Sequence, residues 1–233
     1  MNVDKKRPDD KLKPGRPPVR AIYRALYRHW GPQHWWPGRT RLEVVVGAIL
    51  TQNTAWTNVE KAMARLRREK ALNLSVLHRV ELNTLAEWIR PAGYYNVKAR
   101  RLRAFTRMVD KEFDGRLERL WKLEDRVLRD TLLRVHGIGP ETADSIMLYA
   151  AGRPFFVVDA YTRRFLGRHG WITDRATYDE VARWFTDVLP RDVPVYNEYH
   201  ALIVRLGKTT CRRRPLCDRC PLKRWLPESG DGG

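Results

Sequence analysis

Apolar residues recur along most of this chain at helical intervals. Ile22, Tyr23, Leu26, Tyr27 and Trp30 mark one face of a helix from Val19 to Trp30. The next apolar run, Leu42 to Leu50, is hydrophobic on nearly every side. Its β-branched residues alone suggest a strand, but the pattern continues through Val59, Met63 and Leu66 at helical spacing. The segment therefore predicts a buried helix, a turn and an amphipathic helix. Further helices are expected over 71–80 and 82–90. Pro91 to Ala99 breaks the pattern and restarts it, and helices follow over 103–113, 126–135, 161–167, 178–189 and 195–207. No alternating apolar–polar stretch persists, so the fold class read from the pattern is all-α. A chain of 233 residues, 43% of them hydrophobic, is long enough to bury a sizeable core in one domain or two small ones.

The stretch from Leu132 to Arg164 carries the chemistry. Gly137-Ile138-Gly139 allows a tight turn with left-handed backbone angles and close approach of a partner. Pro140 suits the first position of a helix, where its missing N–H costs nothing, and Glu141 suits the positive end of that helix. A turn of bare amides meeting a helix N-terminus binds phosphate, although Gly-x-Gly also precedes helices as an ordinary connection. The helix runs toward Gly152, and the apolar run Phe155 to Val158 then delivers Asp159 just before Tyr161-Thr162-Arg163-Arg164. Asp159 is expected at the edge of the core facing a basic surface, or as the cap of a helix that starts at Ala160. The two are compatible.

Charge narrows the partners. Lys and Arg number 45 against 27 Asp and Glu, a formal net charge of +18 that favours a polyanion. Residues 1–17 are polar, charged and Pro-rich, the composition of a disordered basic lead-in. No apolar run is long enough to span a membrane and no signal-peptide core is present, so a soluble, cytoplasmic, nucleoid-associated protein is expected. Disulfides are not expected there. Cys211, Cys217 and Cys220, spaced C-x5-C-x2-C, read as a metal or iron–sulfur site.

In combination, GIGPETA followed by VVDAYTRR resembles the helix-hairpin-helix motif and catalytic aspartate of endonuclease III-like DNA glycosylases. The resemblance extends from about Pro18 to the last cysteine. It implies two α-domains with a DNA cleft between them. A six-helix barrel over 42–152 would end in the motif, and a second helical domain would be built from 18–41 and 153–233. It also implies that Gly137, Ile138, Gly139 and Thr142 grip the backbone of double-stranded DNA containing a damaged base, with Arg163 nearby. Asp159 would serve excision of a flipped base by a protein acting as a monomer.

Further segments match piecewise. GAILTQNTAW is similar to the family's QxT loop, which makes Gln52 a candidate to enter the space left by the flipped base; the same residues also suit a polar helix cap. GYYNVKA is similar to the family's GxYNxKA segment, which places Tyr94 opposite the flip site, with Asn96 and Lys98 as further DNA contacts. Packing of Tyr94 on its neighbours is the alternative, and Arg100, Arg101 and Arg103 are either a solvated face or phosphate contacts. Trp56, and Trp35 in the loop Gly31 to Gly38, are candidates to line a base pocket, where a cationic base stacks on an aromatic face. Trp35 and Trp36 equally suit covering a domain junction.

The cysteines resemble the family's C-terminal 4Fe-4S loop with two departures: the first spacing is one residue short, and Leu226 stands where a fourth cysteine would fall. Three thiolates leave open a cluster with a non-cysteine ligand, a zinc site completed by His200 or water, or no metal.

Family members that also cut the backbone use a lysine two residues after the second hairpin glycine, where this chain has Glu141. A carboxylate cannot form the imine, so the resemblance implies a monofunctional glycosylase, closest to the 3-methyladenine branch. Asp159 would stabilise an oxocarbenium-like sugar or activate water. Glu141 would orient water, line the pocket, or simply suit the helix N-terminus. The alternatives are another base specificity, a lyase using Lys98 or Lys208, and a damaged-DNA binder without turnover.

Overall fold

The structure, a computed structural model, describes residues 15–35 and 38–227. Most of the expected basic lead-in, and Trp36 with Pro37, lie outside the described residues. Among the described residues there are twelve α-helices and no β-strand.

They fall into two units. The first collects the described residues up to Gln33, then Val158–Leu189, then those from Ala201 onward; the second collects His34–Val157, without Trp36 and Pro37, and Pro190–His200. The second unit opens with α2 (Arg41–Leu50), capped by Thr40, whose hydroxyl accepts from the Glu43 N–H at 3.1 Å. Eight of its ten residues are buried, including Val44, Val45 and Val46. Burial of each such side chain contributes about 1.5–3 kcal/mol, against a helix-propensity penalty of at most about 0.7 kcal/mol per β-branched residue. Packing therefore decides for helix where local preference suggests strand. Glu43 is itself buried, and its pairing with Arg67 at 2.8 Å holds its carboxyl below the usual range.

Six helices follow α2: α3 (Trp56–Arg68), α4 (Leu74–Arg79), α5 (Leu82–Trp88), α6 (Tyr95–Phe113), α7 (Leu117–Leu120) and α8 (Asp125–Leu133). The unit's next helix, α9 (Pro140–Tyr149), packs on α2 and α8, while α2 also meets α3 and α6. The helix expected from Arg103 begins eight residues earlier, at Tyr95. Its buried residues Lys98, Ala99, Leu102, Phe105 and Thr106 keep one face against α4 and α5.

In the first unit α1 spans Val19–Trp30, as the periodicity predicts. It is joined there by α10 (Ala160–Arg168), α11 (Tyr178–Thr186) and the later part of α12 (Val193–Thr209). Two 3-10 turns, Cys217–Arg219 and Lys223–Trp225, follow. No described helix is long and apolar enough to cross a membrane.

Candidate functional site

Helices α8 and α9 and the turn between them form a helix-hairpin-helix. Arg129 of α8 reaches the buried Asp144 of α9 at 2.6 Å, so an ion pair ties the two helices in addition to their apolar contact. At the turn Gly137 has φ +85°, whereas Gly139 has an ordinary φ of −92° and caps α9. Only the first glycine needs the left-handed region. Gly139 and Pro140 are exposed and nothing lies within 4 Å of where a Gly139 Cβ would stand, so the second glycine leaves room for a partner. Ile138 is buried and anchors the turn.

Thr142 is buried rather than presented to DNA. Its hydroxyl accepts from Gln52 Nε2 at 2.9 Å, and the same amide nitrogen donates to the Gly137 carbonyl at 2.9 Å. Gln52, expected as a wedge, is thus held against the hairpin. Its Oε1 accepts from Arg101 Nη1.

The loop before α6 presents Tyr94. This residue caps the helix in a left-handed conformation, φ 47° and ψ 30°, with 70% of its surface exposed. Packing on neighbours is therefore overturned as its role, because most of the ring meets solvent. Asn96 is exposed beside it. Lys98 is not available to phosphate: it is 1% exposed, and Nζ donates to the Ala92 carbonyl at 2.7 Å. Burial lowers its pKa to about 8. Arg103 is likewise turned inward onto the Val80 carbonyl, while Arg100 stays exposed.

Half-buried Trp35 sets its ring edge-on to Tyr149 at 5.4 Å and tilted to His200 at 5.5 Å. Tyr149 Oη and His200 Nδ1 lie 2.6 Å apart. Trp56 opens α3 and packs over Gly47 of α2. Sequence reasoning does not single out Tyr149 and His200 as the neighbours of Trp35; nothing in their spacing distinguishes them from core residues.

In the first unit Asp159 caps α10. Its Oδ1 accepts from the Thr162 N–H at 2.7 Å and from the Thr162 hydroxyl at 2.8 Å. The carboxylate is 9% exposed, at the margin of the apolar run Phe156 to Val158. Capping fixes its orientation, so the expected cap and the expected place at the edge of the core meet in one residue. The basic run after it is largely committed to the fold. Arg163 donates to the Ala176 carbonyl at 2.8 Å, and Arg164 to the carbonyls of Cys211 and Gly207 at 2.7 and 2.8 Å.

Residues 46–191 match the family of HhH-GPD superfamily base excision DNA repair proteins. The chain belongs to that family. It is 48% identical over 207 residues to a Methanocaldococcus jannaschii protein named as a candidate DNA repair glycosylase, a match covering 88% of this chain and 94% of that one. An endonuclease III of Sulfolobus acidocaldarius is 27% identical over 190 residues, covering 80% and 82%. Among solved structures, Helicobacter pylori 3-methyladenine DNA glycosylase bound to 1,N6-ethenoadenine superposes with a TM-score of 0.71 at 30% identity, covering 81% of this chain and 96% of that one. A non-covalent endonuclease III–DNA complex shares the fold, with a TM-score of 0.78 at 24% identity, over 90% and 94%.

This HhH-GPD protein is accordingly a DNA repair glycosylase, an enzyme that hydrolyses N-glycosyl bonds. Membership of this enzyme family overturns the reading as a damaged-DNA binder without turnover. Its C-terminal loop places Cys211, Cys217 and Cys220 around one small cavity with Leu216 and Leu226. Burial pushes the Cys220 thiol up, with the other two cysteines adding to the shift. The three thiols line one cavity without standing as a ready ligand set, and a four-thiolate set is excluded because the chain has three cysteines. Among the described residues no three His, Cys, Asp or Glu side chains stand in a metal-holding arrangement. The loop is also tied by protein contacts. Arg168 donates to the carbonyls of Arg212 at 2.6 Å and Arg213 at 3.0 Å and lies 3.3 Å from Cys211 Sγ. The side chains of Arg212, Arg213, Arg214 and Arg219 are exposed.

Proposed function

We propose that this glycosylase is monofunctional and removes an alkylated, 3-methyladenine-type base from double-stranded DNA. The observation that carries the reading is Glu141, exposed on the first turn of α9 where a backbone-cutting relative would carry its amine. A carboxylate forms no Schiff base, and Lys98 does not replace the amine, since it is buried on the Ala92 carbonyl. Base release then occurs by attack of water and leaves an abasic site.

In this reading the Gly139 amide and the N-terminus of α9 hold a backbone phosphate, the Ile138 N–H being spent on the Val135 carbonyl at 3.0 Å. Tyr94 fills the stack when the base leaves it, offsetting part of an unstacking cost of about a few kcal/mol. Trp35 gives the extruded base an aromatic wall, with Trp56 as a second candidate. A cationic alkylated base gains more from such a wall than a neutral one. It also departs without prior protonation, so its release needs no general acid. Asp159, fixed by Thr162, stabilises the positive charge that develops on the sugar and orients the attacking water. The 30% identity to a 3-methyladenine glycosylase supports the choice of base. A metal at the cysteine loop would be held by Cys211, Cys217 and Cys220. It would cross-link the loop rather than take part in base release.

The test is base release from duplexes that carry one lesion each: 3-methyladenine, 1,N6-ethenoadenine, oxidised pyrimidine, or thymine opposite guanine. Release of alkylated bases, with strand breaks only after alkali, is expected. Release confined to pyrimidines, or breaks without alkali that borohydride traps as a covalent adduct, would overturn the reading.

A further inference from the structure

Three elements of the second unit meet at one guanidinium. Arg101, on the second turn of α6, donates to Gln52 Oε1 in the turn between α2 and α3. Gln52 in turn spends its amide nitrogen on the hairpin, at the Gly137 carbonyl and the Thr142 hydroxyl. These partners fix which end of the amide is which. The Gly137 carbonyl can only accept, so it needs the NH2 end, and the guanidinium can only donate, so it needs the oxygen. The side chain of Arg101 also lies across Gly137 so closely that a Cβ there would stand 2.5 Å from its Nε and 2.6 Å from its Cδ. Gly137 is therefore required twice, by its φ of +85° and by the arginine above it.

This arrangement is not what stability alone selects. The Nε of Arg101 is buried and has no hydrogen-bond partner among the described residues. A group left in that state disfavours the fold. What it accomplishes is mechanical: α6 carries Tyr94 at its N-cap, seven residues and about 10 Å of helix from Arg101. The hairpin that holds phosphate and the helix that carries the exposed aromatic are thereby joined through Gln52.

We infer that Arg101 is a positioning residue for base extrusion, coupling the grip of the hairpin on the backbone to the placement of Tyr94 in the base stack. It touches neither the base nor the sugar, and it acts through Gln52. The inference rests on the proposed reading of the hairpin and Tyr94 as DNA contacts. It adds a residue that neither the hairpin nor the GYYNVKA segment singles out.

Two duplexes test it. Both carry 2-aminopurine, whose fluorescence rises on unstacking, opposite thymine in one and opposite an abasic-site analogue in the other, where the base is already loosely held. Wild-type protein is expected to enhance fluorescence in both. Arg101→Met is expected to slow the rise with the paired duplex by about tenfold or more, the scale of effect of a small misplacement. With the unpaired duplex it should stay within about twofold, because extrusion there needs less assistance. Arg101→Lys, which keeps the charge and most of the reach, should recover part of the loss. Gln52→Glu keeps the acceptor for Arg101 but removes the donors to the hairpin, so it should reproduce the Arg101→Met pattern. It also provides the test should Arg101→Met fail to fold.

Equal slowing on both duplexes would mark a merely structural role and overturn the inference. So would no slowing on either, or no fluorescence rise with wild-type protein. Base release from methylated DNA, scored separately with wild-type protein, decides the proposed function. A protein that extrudes 2-aminopurine but releases no alkylated base would sink that reading and leave the role of Arg101 standing.

Discussion

The two hairpin glycines separate fold from function at the scale of a residue. Gly137→Ala meets both a left-handed backbone and the Arg101 side chain, so it should destabilise the protein by about 1–3 kcal/mol. Thermal or denaturant unfolding measures this directly. Gly139→Ala places its methyl in open space with an allowed φ and should cost only about 0.5–1 kcal/mol, the preference of an N-cap for Gly over Ala. If a phosphate approaches that amide, the same variant should nevertheless bind duplex DNA more weakly. Lys98 offers a pH signature. Its folded pKa, about 8, lies below the ordinary 10.5, so between those values the unfolded chain binds more protons than the folded one. Stability then rises with pH through this window, and the burden of a buried charge is present in full below pH 8. The stability of wild type relative to Lys98→Met should therefore climb from about pH 8 to about pH 10.5. A flat difference would show that Lys98 titrates normally. In the sequence Lys98 is only one basic residue in a run. Its inward direction depends on the Ala92 carbonyl at the end of a 3-10 turn, which no local pattern announces.

Among the elements, periodicity locates nearly every helix, because burial of one face determines both pattern and structure. α1 and α2 begin within a residue of where the apolar pattern puts them, and α9 begins at Pro140 as its proline predicts. The start of α6 escapes it, since Gly93 and the left-handed Tyr94 resemble a continuing break although Tyr95 already turns as helix. The cysteine loop is legible as a thiol cluster, but its protein tethers are not. Arg164 and Arg168 stand one turn apart on α10 and donate to carbonyls distant in sequence, a pairing that residue types do not encode. Arg168→Met removes two charge-assisted bonds from a partly exposed site and should destabilise by about 1–2 kcal/mol. Treatment with a chelator should shift the midpoint less than this variant does, because the tethers persist. Iron and zinc content measured alongside decides whether the three thiols hold a centre at all.

For the whole molecule, the formal net charge of +18 implies binding to DNA that weakens steeply with salt. The contributors differ from the basic runs that stand out in the sequence. Arg163, Arg164 and Arg103 are occupied by backbone carbonyls, whereas Arg212, Arg213 and Arg214 are exposed on the cysteine loop. Replacing these three with Gln should reduce the slope of log affinity against log salt by up to about 2.7, about 0.9 for each phosphate no longer neutralised. Family membership and the two key motifs are readable because glycine spacing and the capped aspartate are local features. The network around Gln52 is not, because its members come from three separate segments. The central claim is that Asp159 performs base release while the remaining residues bind and position DNA. Its most direct test is single-turnover base release from methylated duplex DNA by wild type and Asp159→Asn, with DNA affinity measured in parallel. Loss of release by about a hundredfold or more with affinity retained is expected, the scale of effect when one electrostatic stabiliser is removed. Unchanged release by Asp159→Asn would contradict the account.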